Sequence, residues 1–194
     1  MLNRMLARSY QERVGIQKMI NTLFAIAVFG LLFSALAHIS TFFGINPQSV
    51  FPAVWGLHVL LFVVWFPIIF ISRKKFTIEN RKDFIKIITK QAPYWMKALS
   101  VALFTYAFFN FFYTVFALNE GGVPSILSGK KVLESHGKII RELTGQEYEL
   151  HQAYGVRAFS GHWLVFYSVG MTVLYSMRRE KSNHATRPEN PVSG

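Results

Sequence analysis

Histidine is the residue type in this chain best suited to chemistry, because there is no cysteine and Asp83 is the only aspartate. Three of the six histidines, His38, His58 and His162, fall within long apolar segments. Imidazole ligates metals and haem iron, and it exchanges protons near neutral pH. Polar groups inside a membrane are costly and usually face other protein groups. These three histidines are therefore the first candidate site residues.

Four long apolar segments must position these histidines. They cover residues 19–43, 50–71, 96–118 and 159–177. They carry no charged residue except Lys97, at the edge of the third segment, which is counted with the preceding loop. About 20 apolar residues suffice to cross the hydrocarbon core of a bilayer. The sequence therefore predicts an all-α integral membrane protein, in which one membrane domain over 1–194 forms a four-transmembrane-helix bundle.

The surplus positive charge lies on one side of these segments. Residues 1–18 carry four basic residues against one acidic, the loop 72–97 eight against two, and the tail 178–194 four against two. The stretch 119–157 has five of each, and the link 44–49 has none. Because cytoplasmic loops retain Lys and Arg, we expect both termini in the cytoplasm. The pattern favours a bacterial cytoplasmic (inner) membrane with anionic lipid on the basic side, and it predicts no nucleic-acid partner.

The start of the chain also resembles a secretory signal. A basic region, an apolar stretch and Ala35-Leu36-Ala37 are the parts of such a signal, and cleavage there would leave three helices. The apolar run continues past Ala37 to residue 43, however, which gives it full spanning length. We therefore expect residues 1–37 to be retained.

The cytoplasmic loop 72–95 contains an amphipathic stretch at 76–94. Ile78, Phe84 and Ile88 lie on an apolar side, and basic residues lie between them. This pattern predicts a helix on the membrane surface that contacts anionic lipid.

The outer loop 119–158 is predicted to be structured. Residues alternate moderately around Ser135-His136-Gly137, which predicts a β-hairpin. Thr144 and Glu147 then form a capping box. No proline follows before the fourth segment, so one helix over 145–177 is predicted.

The histidines are predicted to share a layer in the outer half of the membrane. At 1.5 Å per residue they lie about 6–12 Å below the outer ends of their helices. Three more polar residues fall at or near this depth on faces that can point into the bundle. The full candidate layer consists of His38, His58, His162, Asn110, Ser34 and Tyr113.

Four interpretations of this layer remain open from sequence. It is a hydrogen-bonded polar core, a haem b site with His58 and His162 as axial ligands and His38 as substitute, another metal site, or a proton path. No catalytic motif accompanies it. Ser160 and His162 are two residues apart, and side chains at that spacing on a helix do not face each other, so they predict no catalytic dyad.

Composition and motifs favour a non-enzymatic membrane protein that acts by association. In this hypothesis the outer segment 119–157 meets an envelope protein. The alternatives are a haem- or metal-binding redox module and an oligomeric proton or ion path, perhaps that of a membrane-active effector. Only the last alternative requires a homo-oligomer, because one four-helix monomer leaves little room for a pore.

Overall fold

The computed structural model describes residues 2–73 and 83–185, with side chains at 11, 14–73 and 83–180. The described chain is mainly helical. In chain order its elements are α1 (Leu2–Phe42), α2 (Pro47–Val50), a 3-10 turn (Pro52–Trp55), α3 (Gly56–Ser72), α4 (Phe84–Ile88), α5 (Tyr94–Phe112), a π-helical segment (Tyr113–Leu118), β1 (Val123–Leu127), β2 (Lys130–Ser135), β3 (Lys138–Glu142) and α6 (Gly145–Ala185).

Three helices in the described ranges are long and apolar enough to cross a membrane. They are Val14–Phe42, Pro52–Ser72 and Tyr94–Leu118, which correspond to the first three apolar segments. This composition fits an integral membrane protein of mainly helical fold. The fourth segment, 159–177, belongs to α6, which is not among the three.

The centre of the bundle is α6, which packs against α1, α5 and α3. Trp163, Tyr167 and Leu174 are among its fully buried side chains. Its buried face also holds several serine and threonine residues, whose hydroxyls bond mostly to backbone carbonyls, as Thr172 does to Ser168 O at 2.8 Å. These hydroxyls can be buried because each of them has a hydrogen-bond partner, either on α6 itself or on a neighbouring segment.

Helix α1 packs tightly against α6 at Gly30. A Cβ built on Gly30 would lie 2.2 Å from the Tyr167 ring, so only glycine fits there. The Tyr167 hydroxyl in turn donates to Leu57 O of α3 at 2.6 Å. One ring therefore joins three helices and fixes the rotation of α1 that places His38 inward.

The predicted outer loop forms a three-stranded antiparallel sheet, which we call the outer sheet, in the order β1-β2-β3. Both hairpins turn on a residue pair with positive φ, Ser128-Gly129 and His136-Gly137, which suits two-residue turns. The hairpin predicted around His136 is confirmed as β2 and β3, and β1 is an additional strand. Lys131 Nζ lies 5.2 Å from the centroid of Tyr148, on the first turns of α6.

The predicted capping box and long helix are confirmed. Thr144 N donates to Glu147 Oε2 at 2.8 Å, and Glu147 N donates to Thr144 Oγ1 at 3.2 Å. The helix that starts there runs unbroken from Gly145 to Ala185. The outer sheet is thus carried on an extension of the central helix.

The amphipathic helix predicted at 76–94 falls partly on residues 74–82, outside the described ranges. The described part of that stretch holds the five-residue α4, a turn after Ile88, and the start of α5 at Tyr94. The first predicted span, 19–43, corresponds to the C-terminal part of α1, which begins at Leu2.

Candidate functional site

His38 lies on the side of α1 that faces the bundle, one turn before the C-terminal end of the helix, and it is buried. Its Nδ1 is 2.7 Å from Ser160 Oγ on α6, and its Nε2 is 2.6 Å from the Tyr106 hydroxyl on α5. One imidazole therefore joins all three helices through both of its nitrogens. In the neutral ring, one nitrogen donates and the other accepts.

Asn110 and Arg157 extend this set of contacts. Asn110 Nδ2 donates to Arg157 O at 3.1 Å, and Arg157 Nε donates to Asn110 Oδ1 at 3.0 Å. The Tyr106 hydroxyl is 3.5 Å from the same amide oxygen. We call the five residues His38, Tyr106, Asn110, Arg157 and Ser160 the outer polar cluster.

Gly161 lets α5 and α6 approach at this cluster. A Cβ on Gly161 would stand 3.2 Å from Asn110 Nδ2 and 3.6 Å from Ala107. Because Gly161 has no side chain, α5 and α6 come close enough for Asn110 to form its hydrogen bonds with Arg157.

The contacts of His38 resemble a nucleophile, base and orienting group. Ser160 Oγ would be the nucleophile, His38 the base, and Tyr106 the group that orients the ring. Ser160 is fully buried, however, so a substrate carbonyl has no approach to its oxygen. The described contacts of the ring join α1, α5 and α6.

His58 and His162 stand apart from the cluster. His58 Nδ1 accepts a hydrogen bond from Trp163 Nε1 at 3.0 Å. His162 Nδ1 bonds to Ala158 O at 3.1 Å, one turn back on its own helix. The two rings line different apolar clefts, and these clefts share Trp65 and Phe166 as a common wall.

The remaining members of the predicted layer are also separated. Ser34 is fully buried, and its hydroxyl has no hydrogen-bond partner in the described part of the chain. Tyr113 is half exposed at the start of the π-helical segment. The structure thus brings His38 and Asn110 together through Tyr106, and it does not bring His58, His162, Ser34 or Tyr113 to them.

Sequence reasoning missed Arg157 and Ser160 as partners in this site. The available signals were an arginine just outside an uncharged segment and a serine three residues further along the same helix. Among residues 2–73 and 83–185, no group of three or more His, Asp or Glu side chains could hold a metal ion.

A second polar cluster holds the outer sheet on α6, around Arg141. Its guanidinium bonds Glu120 at 3.0 Å and Glu147 at 2.8 Å. An Arg141 Nη also donates to His151 Nε2 at 3.3 Å, so the neutral His151 ring donates from Nδ1 to Asn119 Oδ1 at 2.9 Å. Glu147 and His151, which are spaced one turn apart, therefore meet through an arginine instead of a metal.

Contacts and burial around Arg141 lower the pKa values of two side chains. The Thr144 amide, and then the Arg141 guanidinium, lower the pKa of Glu147 to about 2. Burial, and then Arg141, lower the pKa of His151 below its ordinary value, although Glu120 and Glu147 oppose this. Both shifts favour the unprotonated forms when the sheet is docked.

The outer loop is also tied to the link between α1 and α3. Ser49 Oγ donates to Glu149 Oε2 at 2.6 Å, and Asn46 Nδ2 donates to the same oxygen at 2.8 Å. These two bonds lower the pKa of Glu149. The first turns of α6 are therefore held from two sides.

Acidification is expected to loosen the outer sheet. The lowered pKa of His151 means that the undocked form binds a proton more readily, so docking is fully stable above pH about 6.5 and weakens as the pH falls below that value. Protonation of Glu147 weakens the docking of the sheet further only below pH about 4.5, as the pH falls towards 2. Hydrogen exchange over 119–151, corrected for intrinsic pH effects, should show less protection at pH 5 than at pH 7.5.

The control for this prediction is His151→Gln, which keeps a polar side chain and removes the titration. Its protection should stay constant between pH 7.5 and pH 5. An equal pH dependence in the variant and the wild type would contradict the assignment to His151.

Comparisons of the chain with family models, with curated proteins and with solved structures gave no match.

Proposed function

We propose that this chain is a non-enzymatic protein of the bacterial inner membrane that acts by binding an envelope protein through its outer segment 119–157. The observation that carries the proposal is a group of exposed apolar side chains on the outer sheet, which lies outside the spanning segments. Large exposed apolar patches on water-facing elements mark interaction sites.

The proposal includes a fourth span at 159–177. This part of α6 has no charged residue, and its helix packs between α1, α5 and α3, so it shares their depth. With four spans, both termini and the basic loop lie on the cytoplasmic side, where they meet anionic lipid. The outer sheet then faces the envelope.

The apolar group, which we call the outer patch, consists of three side chains on one face of the sheet. Their exposed fractions are Val123 56%, Leu127 39% and Ile139 57%. Val123 pairs with Glu134, and Glu134 pairs with Ile139, so Val123 and Ile139 flank one carboxylate in a row across all three strands. The patch therefore combines apolar surface with one central charge.

Both edges of the sheet are poorly suited to adding a strand. Pro124 removes a backbone donor from β1. In β3, Leu133 pairs with Arg141 and Glu134 with Ile139, so Ile140 is an extra residue in a bulge. Proline and bulges protect edge strands. We therefore expect the partner to contact the side chains of the outer patch rather than extend the sheet.

The proposal is tested by placing a photoreactive phenylalanine analogue at Ile139 of the full chain in its own cells. We expect a protein adduct of defined mass. The matched control is the same analogue at Gln146, an exposed position at the start of α6. Adding Val123→Ser should lower the yield at Ile139 roughly tenfold, because removal of a buried interface side chain costs more than about 1 kcal/mol.

Three results would overturn the proposal. They are adducts of equal yield at Gln146, an adduct that contains lipid only, and an adduct between two copies of this chain.

A further inference from the structure

Arg157 occupies an unusual position in the outer polar cluster, because it is the only charged member. No carboxylate lies within ion-pair distance of it in the part of the chain that the structure describes. A guanidinium stays ionised at any physiological pH, and a charge that is partly withdrawn from water needs a counter-charge.

The guanidinium is held rigidly on two sides. Nε donates to Asn110 Oδ1 at 3.0 Å, and the central carbon lies 3.9 Å from the centroid of Phe42. Asn110 is itself fixed by its bond to Arg157 O. The two Nη groups have no hydrogen-bond partner among the described residues, so a planar pair of donors remains available.

We propose that these donors bind a phosphate oxyanion, supplied by the headgroup of an outer-leaflet phospholipid. Parallel N–H donors of arginine match two oxygens of a phosphate. A phosphate would supply the missing counter-charge without disturbing the bonds of Nε.

The position of Arg157 supports a lipid source. Phe42, on which the guanidinium stacks, is the last residue of α1, and α1 contains one of the three helices long enough to span. Phe43 and Phe159 are exposed beside this end of the bundle, where acyl chains would meet them. The inference depends on α1 crossing the membrane in the proposed orientation, and it does not depend on the envelope partner.

The test uses the purified full-length chain and native mass spectrometry with added phosphatidylglycerol. We expect Arg157→Gln to lower the affinity of one lipid-binding event about tenfold, the size of a lost charge-assisted bond pair. Glutamine can still donate to Asn110, which helps the variant to fold. The matched control is Lys138→Gln, which removes the same charge from an exposed strand and should change nothing.

Two further arms keep the test decisive. Diacylglycerol, which lacks the phosphate, should bind the wild-type protein at least about tenfold more weakly. Inorganic phosphate distinguishes the two sources: failure to displace the lipid supports a headgroup site, whereas displacement that depends on Arg157 supports a site for free phosphate. Equal lipid binding by wild type and Arg157→Gln, or equal binding of diacylglycerol, would overturn the proposal.

Discussion

Gly30→Ala is expected to be the most destabilising single methyl addition in the bundle. The new Cβ would fall 2.2 Å from the Tyr167 ring, well inside contact distance. The ring cannot move aside cheaply, because it is fully buried and its hydroxyl is bonded to Leu57 O. Overpacking costs about 1–3 kcal/mol, and loss of the hydroxyl bond adds about 1 kcal/mol. Thermal unfolding in detergent should show a large fall in Tm.

Gly15→Ala provides the matched control on the same helix. A Cβ at Gly15 meets nothing within 4 Å, so this variant should be as stable as the wild type or more so. The double variant Gly30→Ala with Tyr167→Ala should be no less stable than Tyr167→Ala alone, because the clash disappears with the ring. Equal Tm values for the two glycine variants would show that α1 does not cross α6 at this point.

His38→Ala is expected to have the second largest effect, and an effect on stability rather than on a reaction. The substitution leaves Ser160 Oγ and the Tyr106 hydroxyl without their ring partner. An unsatisfied buried polar group costs about 1–3 kcal/mol. His58→Ala is the comparison, because that ring is exposed and makes one side-chain bond, to Trp163. We therefore expect a clear fall in Tm for His38→Ala and a smaller fall for His58→Ala.

A visible absorption spectrum of the wild-type protein, oxidised and then reduced with dithionite, accompanies this comparison. If the cluster is a hydrogen-bonded polar core, the spectrum should show no haem bands. The falls in Tm caused by Ser160→Ala and His38→Ala should then be non-additive, because the two residues share a hydrogen bond. A Soret band that disappears in His58→Ala or His162→Ala would contradict it and would assign the histidines to haem b.

Local patterns in the sequence were sufficient to predict several elements. Three helices could be predicted from long stretches of apolar sequence, because the residues of a helix that crosses the bilayer lie in its hydrocarbon core, where charges are costly. The Ser135-His136-Gly137 turn and the Thr144 capping box predicted a hairpin and a helix start, because each depends on residues close in sequence. The Ser128-Gly129 turn carries a similar local signal for the hairpin of β1 and β2.

The partners within the site could not be predicted in this way. In a membrane, lipid and protein interior are both apolar, so hydrophobic periodicity does not show which face of a helix points inward. The predicted layer therefore included Tyr113, which is half exposed, and His58, which bonds to Trp163 instead of His38. The two bonds between Asn110 and Arg157 join residues 47 positions apart, and no local pattern specifies them.

The sequence by itself determined the three long apolar helices and the folded segment that follows them. The tertiary structure alone decided that α6, whose segment 159–177 is not among the three apolar spans, is the central helix. It also decided that His38, Tyr106, Asn110, Arg157 and Ser160 form one cluster. The physical reason is close packing: the rotation and crossing of α1 and α6 are set where Gly30 receives the Tyr167 ring, a fit between residues far apart in the chain.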